Sequence, residues 1–258
     1  MKGLILKFID TISFEEAKLD NKPFRHLVLD NFLGYNYALS LSKEFNEIPD
    51  KYWYTYNNEF ESKRSCNNMS TFGKNTHEFF SYMNSDIVLK LIGNKFGYSL
   101  IPDMNLYGAG MFSYPSEGKL LPHLDAAFHP DTKNTRVLTF LLFLSENYDE
   151  KNGGKFGLYD SRDSSHSGRL IKEISPNFNS AICFDNFNLS WHGLTSRYIC
   201  QENQPRKVLS LFYYSKDIQP MRTNERALFS TPKDKLQDEK IQSFIRNRAM
   251  KKIASSSC

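Results

Sequence analysis

The 258-residue sequence is poor in cysteine, in charge surplus and in long apolar runs. The cysteines Cys66, Cys183, Cys200 and Cys258 are scattered and form no Cys-x-x-Cys pair. That excludes a zinc knuckle or a thioredoxin-type site, and free thiols point to a reducing, cytoplasmic compartment. Cys258 stands at the last position rather than four from the end, so Ser255-Ser256-Ser257-Cys258 is no prenylation box. No window approaches 18 uncharged apolar residues, so no membrane span is expected. Lys7 and Asp10 interrupt the apolar patches of the first ten residues and no small-residue cleavage site follows, so no leader is expected. Lys+Arg 33 against Asp+Glu 29 leaves +4, too little for a dedicated nucleic-acid binder. Internal repeats and low-complexity tracts are absent apart from the short serine run before Cys258.

Aromatics, by contrast, are plentiful: 21 Phe, 14 Tyr and 2 Trp. Disordered chains are poor in them, so most of the length is expected to fold. The N-terminal part, residues 1–98, reads as mixed. Phe24 to Leu29 suits a strand, and Tyr37, Ala38, Leu41, Phe45 and Ile48 recur at helical spacing before Pro49. Residues 51–75 show no clean period and read as an irregular surface segment, with Tyr52-Trp53-Tyr54-Thr55-Tyr56 as an aromatic patch for a substrate. One helical stretch is expected over 76–95, with Ser85 as an N-cap and Gly97 as a stop.

From 99 to 215 the texture becomes β. Arg136-Val137-Leu138-Thr139-Phe140-Leu141-Leu142-Phe143-Leu144 reads as a strand buried on both faces. Shorter candidates at 106–114, 155–159, 169–174, 180–185, 190–194 and 207–214 are separated by turn residues such as Asn152-Gly153-Gly154 and Pro176-Asn177. Strands at this spacing, preceded by helices, indicate an α+β, mainly β domain of the sandwich or barrel type. Residues 216–258 read as a basic helical tail, with ten Lys/Arg against five acids and a solvated helix over Lys233 to Ile253.

His123-Leu124-Asp125 carries the chemistry. Residues two apart on an extended chain share a face, so both side chains reach one metal ion, and His192 is the best third ligand. Two imidazoles and one carboxylate on one face of Fe(II) leave open positions for a bidentate co-substrate and dioxygen. Arg206 opens the last apolar strand, where an unpaired buried guanidinium needs a partner. A dicarboxylate such as 2-oxoglutarate supplies one through two parallel hydrogen bonds. Ser210 points to the same face and adds a donor; an ordinary salt bridge to an internal acid is the alternative. His129, Asp185 and Asn186 are weighed as supporting groups, with loop roles as the default. Trp191 points away from His192 and reads as core, and His166 as exposed loop.

The ordered series Tyr114-Pro115, His123-Leu124-Asp125, Arg136, Asn152-Gly153-Gly154, Ile174-Ser175-Pro176-Asn177-Phe178-Asn179, Phe184, His192-Gly193, Arg206 and Ser210 resembles the iron(II)- and 2-oxoglutarate-dependent oxygenases, in their prolyl 4-hydroxylase-like branch. The resemblance covers about 99–214 and extends weakly to Pro23–Leu33. It implies a double-stranded β-helix, or jelly roll, with N-terminal supporting helices. It also implies hydroxylation of a C–H bond, coupled to conversion of 2-oxoglutarate and O2 to succinate and CO2, with ascorbate as a possible helper. On it His123, Asp125 and His192 match the iron ligands, Arg206 the partner of the distal carboxylate, Ser210 a neighbouring donor and Tyr114 a pocket tyrosine. Phe143 stands where some members have a second tyrosine, and Thr139 on the same face is the candidate replacement. Collagen-type members use lysine at the Arg206 position, and related halogenases lack the carboxylate that Asp125 supplies. Members acting on ribosomal proteins carry a second, degenerate copy of the fold, for which this chain is too short. The implied substrate is a peptidyl proline or a small molecule. A non-catalytic jelly-roll binding protein and a zinc hydrolase on the same His/Asp set stay open at this point.

Overall fold

A computed structural model describes residues 11–200 and 204–251. The expectations for the first ten residues, for Lys252 and Ile253 and for the Ser255–Cys258 end lie outside the described residues. Short helix α1 (Thr11–Glu16) precedes β1 (His26–Leu29), then α2 (Tyr35–Glu44), the hairpin β2 (Tyr54–Asn57) and β3 (Glu61–Cys66), and helices α3 (Lys74–Met83) and α4 (Asp86–Phe96). The rest is β: β4 (Gly110–Tyr114), β5 (Lys119–Leu120), β6 (His123–Leu124), β7 (Thr135–Phe143), β8 (Phe156–Asp160), β9 (Arg169–Ile174), β10 (Ser180–Asp185), β11 (His192–Leu194), β12 (Arg206–Ser215) and β13 (Leu228–Phe229). Helix α5 (Glu239–Met250) follows. Every strand pairing is antiparallel, in an eight-stranded sheet ordered β1-β10-β7-β12-β4-β3-β2, with β5 on β3, and a five-stranded sheet ordered β13-β6-β11-β8-β9. The two curl against each other as a jelly roll.

Strand β7 shows why the sequence there is almost continuously apolar. Leu138, Phe140 and Leu142 face the helices, packing with Ala38 and Leu41 of α2, Phe79 and Phe80 of α3 and Ile92 of α4. The alternate residues Leu141 and Phe143 face the small sheet and meet Phe156, Leu158 and Phe229. A central strand covered on both faces has no solvent side on which a polar residue would be favoured.

Three expectations change. Residues 51–75 are not irregular, because β2 and β3 extend the large sheet beyond β4. The single helix over 76–95 is two, α3 and α4, broken at Asn84-Ser85. Ser85 does sit at the N-cap, although its side chain makes no capping bond, and Gly97 closes α4 in the left-handed region at φ 75°. The start of α3 is held instead by the buried Glu44 carboxylate, which accepts from the backbone N–H groups of Asn75 and Thr76. A Cβ at Gly73 would lie 2.2 Å from that carboxyl carbon, so a side chain there would push the carboxylate off the helix start.

The third change concerns the expected tail. Leu228 and Phe229 pair with Leu124 and His123, which makes β13 a strand of the small sheet. Ile245 and Ala249 of α5 are buried, and Arg248 lies over the rings of Phe60 and Phe229 while pairing with Glu61 at 3.3 Å. Ile241, Ile245 and Ala249 therefore dock this basic helix on the core with Arg248 beside them, while Phe244 stays exposed.

Candidate metal centre

Histidines 123 and 192 lie far apart in sequence but are direct cross-strand partners of β6 and β11. Their ring centroids are 4.4 Å apart. This close approach depends on Gly193, where a Cβ would come within 2.8 Å of Pro122. Asp125 follows β6 at the same mouth. One ligand atom from each of His123, Asp125 and His192 lies within 4.8 Å of the others, and all three residues are buried.

The ring orientations follow from bonds on the far side of each imidazole. His123 Nδ1 lies 3.0 Å from the Leu121 carbonyl and His192 Nδ1 2.8 Å from the Ser190 carbonyl. A carbonyl only accepts, so both Nδ1 atoms carry the hydrogen and both Nε2 lone pairs face the centre. His192 Nε2 is 3.6 Å from Asp125 Oδ2, and His123 Nε2 is 3.4 Å from Oδ1. Burial, and then the neighbouring His123, push the His192 pKa down to about 4, so its imidazole is neutral at physiological pH. Burial pushes the Asp125 carboxyl up, but His192, His123 and Arg136 outweigh it and hold the group well below its usual value. Two imidazoles that aim Nε2 at the centre and an ionised carboxylate on one face are a donor set that suits Fe(II).

Asp125 is itself gripped. Thr139 donates to its Oδ2 at 3.2 Å and Asn186 Nδ2 at 2.8 Å, and Asn186 also donates to Thr139 at 2.8 Å. Thr139 thus lines the cavity, with its hydroxyl turned to the Asp125 carboxylate.

The cavity runs from this centre to Arg206. Tyr114 and Arg206 are register partners on β4 and β12, and both line it, together with Ser210. Arg206 is 2% exposed, with its guanidinium 5.2 Å from the Tyr114 ring centroid and 5.1 Å from that of Phe143. Its Nε and Nη2, and the Ser210 hydroxyl, have no hydrogen-bond partner among the described residues. The salt bridge to an internal acid, the alternative raised by the sequence, is absent there. Lys63 of β3 lines the same cavity, pairs with Glu61 at 3.3 Å and sits over the Phe112 ring.

Of the weaker candidates, Asn186 alone reaches the ligands. Asp185 binds Arg25 and Tyr98 on the opposite side of its strand. His129 accepts from the backbone of Asp131 and Thr132 and stabilises its own loop. Trp191 is fully buried, and His166 sits 3.4 Å from Asp163 in a partly exposed loop. In the aromatic patch Tyr54 is 65% exposed, whereas Trp53 stacks on Phe45. Sequence reasoning missed Lys63, Arg222 and Asn224. The last two donate to the Asp125 carbonyl from beyond β12, and nothing local in Met221-Arg222-Thr223-Asn224 marks them.

Comparison with known proteins agrees with this architecture. Residues 109–214 match the profile of the 2OG-Fe(II) oxygenase superfamily. Over 227 residues the chain is 24% identical to prolyl 3-hydroxylase OGFOD1 of Mus musculus, a match that takes in 85% of this chain and 37% of that protein. The chain thus spans little more than a third of the length of this relative. Among solved structures, a prolyl hydroxylase from Trichoplax adhaerens in complex with a hypoxia-inducible-factor peptide fragment aligns with TM-score 0.53 at 16% identity, over 74% of this chain and 84% of its own. A prolyl 4-hydroxylase of Phytophthora capsici aligns with TM-score 0.55 at 17% identity, over 95% of this chain and 75% of its own. A prolyl 4-hydroxylase of Pseudomonas putida aligns with TM-score 0.53 at 14% identity, over 74% and 92%. At these identities the structures establish the jelly-roll fold.

Proposed function

The chain belongs to the 2OG-Fe(II) oxygenases, in their prolyl 4-hydroxylase-like branch, and from that premise we propose that it hydroxylates a prolyl residue of a peptide, using 2-oxoglutarate and O2 and releasing succinate and CO2. The observation that carries the reading is Arg206: a buried guanidinium with two unpartnered N–H donors, facing the cavity that holds His123, Asp125 and His192. A buried cation left without an anion is costly, and a dicarboxylate removes that cost when it binds. A zinc hydrolase has no use for such a group.

In this reading His123 Nε2, Asp125 and His192 Nε2 hold Fe(II). Arg206 takes the distal carboxylate of 2-oxoglutarate through two parallel bonds, with Ser210 donating beside it and Tyr114 walling the cavity. Bound there with 2-oxoglutarate, iron supplies the oxidising power that turns a substrate C–H into C–OH. The protein holds both imidazoles in the Nδ1–H form, keeps the carboxylate ionised and excludes bulk water with Phe143, Phe156 and Val208. The prolyl assignment is supported by the prolyl 3-hydroxylase relative. Free Cys66, Cys183 and Cys200 support a reducing, cytoplasmic setting.

The test is succinate release by the purified chain with Fe(II), ascorbate and 2-oxoglutarate, with and without proline-containing peptides, followed by mass analysis of the peptides. Succinate production that rises with one peptide, and a 16-Da gain on its proline, is the expected result. Absence of both succinate and calorimetric 2-oxoglutarate binding would overturn the reading.

A further inference from the structure

Arg222 lies in the stretch that follows β12, outside the part of the chain that the sequence marks as the catalytic core. It is 9% exposed, and its hydrogen bonds among the described residues go to two backbone carbonyls and one amide oxygen rather than to an acid. Its Nη1 donates to the Asp125 carbonyl at 2.7 Å and to Asn224 Oδ1 at 3.1 Å, and its Nη2 donates to the Asn186 carbonyl at 2.9 Å. Asn224 Nδ2 then adds a second bond to the Asp125 carbonyl at 2.8 Å. The Asn186 side chain, in turn, holds the Asp125 carboxylate and the Thr139 hydroxyl.

One planar guanidinium therefore fixes two backbones at once: that of the carboxylate residue, and that of the residue whose amide orients the carboxylate. A rigid fork suits the task because its donors leave in fixed directions and little freedom is lost for each bond formed. Its burial has a second consequence. Arg222 carries its charge into a space where the Asp125 carboxylate attracts it, so the residue that it positions is also its counter-charge.

We infer that Arg222, with Asn224, is a positioning residue for the metal centre: through the carbonyls of Asp125 and Asn186 it sets the direction in which the Asp125 carboxylate faces His123 and His192. This rests on the reading of those three residues as metal ligands. A merely structural staple at the same place would add stability and leave the geometry of the ligand set to the ligands themselves. The two roles differ in what they move. A staple moves the melting temperature alone, whereas a positioning residue moves metal affinity and the ligand field among molecules that are folded.

The experiment titrates the full chain with Co(II), without co-substrate, by calorimetry and by visible absorption, in wild type, Arg222→Met, Arg222→Lys and Asn224→Ala. Wild type is expected to bind one Co(II). Arg222→Met is expected to bind it about 10- to 100-fold more weakly, the range for groups that support a ligand, with an altered visible band. Arg222→Lys keeps the charge and is expected to recover part of the affinity, and Asn224→Ala, which loses one of the two bonds to the carbonyl, to fall between. Wild-type affinity and spectrum in Arg222→Met and Asn224→Ala would overturn the inference, whatever their melting temperatures. If Arg222→Met does not fold, Asn224→Ala decides alone: a weaker affinity with a shifted band supports the inference and unchanged values overturn it. No Co(II) binding by wild type would overturn the metal-centre reading itself, and this inference with it.

Discussion

The two ends of the active cavity are built on opposite plans. At the carboxylate end, Asp125 is bound through its side chain by Thr139 and Asn186 and through its carbonyl by Arg222 and Asn224. At the arginine end, Arg206 keeps two buried N–H donors and Ser210 a buried hydroxyl with no partner among the described residues. Arg222 Nε and Asn186 Oδ1 are unpartnered at the carboxylate end as well, so the contrast lies in the groups that face the cavity: the Asp125 carboxylate finds its donors within the protein, whereas the Arg206 fork finds no acceptor among the described residues. The metal end is preorganised, and its geometry is inherited from the fold. The arginine end is held ready at a cost in stability.

The largest expected effect breaks the complete end. His123→Ala removes a ligand outright, and the loss of Co(II) affinity, measured by calorimetry, should exceed the roughly 100-fold ceiling for supporting groups. Arg206→Met tests the unfinished end. The Kd for 2-oxoglutarate should rise at least about tenfold, or about 1.4 kcal/mol, as expected for a lost charge-assisted pair. Co(II) affinity without co-substrate should stay as in wild type. The same variant should be as stable as wild type or more so in urea titration without co-substrate, because replacing an unpaired buried charge by an apolar side chain is neutral or favourable. A large loss of stability would mean that Arg206 has a partner in the protein and that the two ends are alike.

Thr139→Val sharpens the comparison on a smaller scale. It deletes one of the two bonds to the Asp125 carboxylate and should weaken Co(II) binding by about tenfold, with a stability loss of about 1 kcal/mol. The Kd for 2-oxoglutarate, measured on the Co(II)-saturated variant, should change little. If it rises as much as in Arg206→Met, Thr139 belongs to the co-substrate.

The smallest effect lies at neither end and serves as a control. His26 is fully buried, donates from Nδ1 to the Phe24 carbonyl and accepts from Lys172 at Nε2, 3.0 Å away. Burial, with Lys172 adding to it, lowers its pKa. The folded chain therefore resists a proton that the unfolded chain takes up near its ordinary value of about 6.5. The stability contributed is present above that pH and is lost as the pH falls below it. Urea midpoints of His26→Gln should fall less steeply than those of wild type below about pH 6.5, with Co(II) affinity unchanged at neutral pH.

Much of this was legible in the sequence where local signals and long-range structure agree. Strands β9 and β10 begin and end at the expected residues because Gly168 and Pro176-Asn177 punctuate them. The His123, Asp125 and His192 set was legible through the ordered series of residues around it, since with six histidines and 29 acids a His-x-Asp alone arises readily by chance. The β2–β3 hairpin was not, for a physical reason: the cavity-facing side of β3 carries Glu61 and Lys63, which neutralise each other at 3.3 Å, so the inward face is polar and the alternation is disguised. Arg222 was illegible because its partners, Asp125 and Asn186, lie 97 and 36 residues away and its own neighbours are polar. Burial of a lone arginine is a property of the assembled fold, which no local window contains. The role of Thr139 depended likewise on Asn186 and Asp125 arriving together.

The pairing of His123 with both His192 and Phe229 also orders events in time. Phe229 lies 106 residues after His123. At ribosomal speeds of about 5–20 residues per second, roughly 5–20 seconds separate the synthesis of the first ligand from that of the strand that flanks it. Until then β6 has β11 beside it and its other edge is open. The surroundings of His123 are therefore completed late in the making of the polypeptide, when the second strand that flanks β6 arrives.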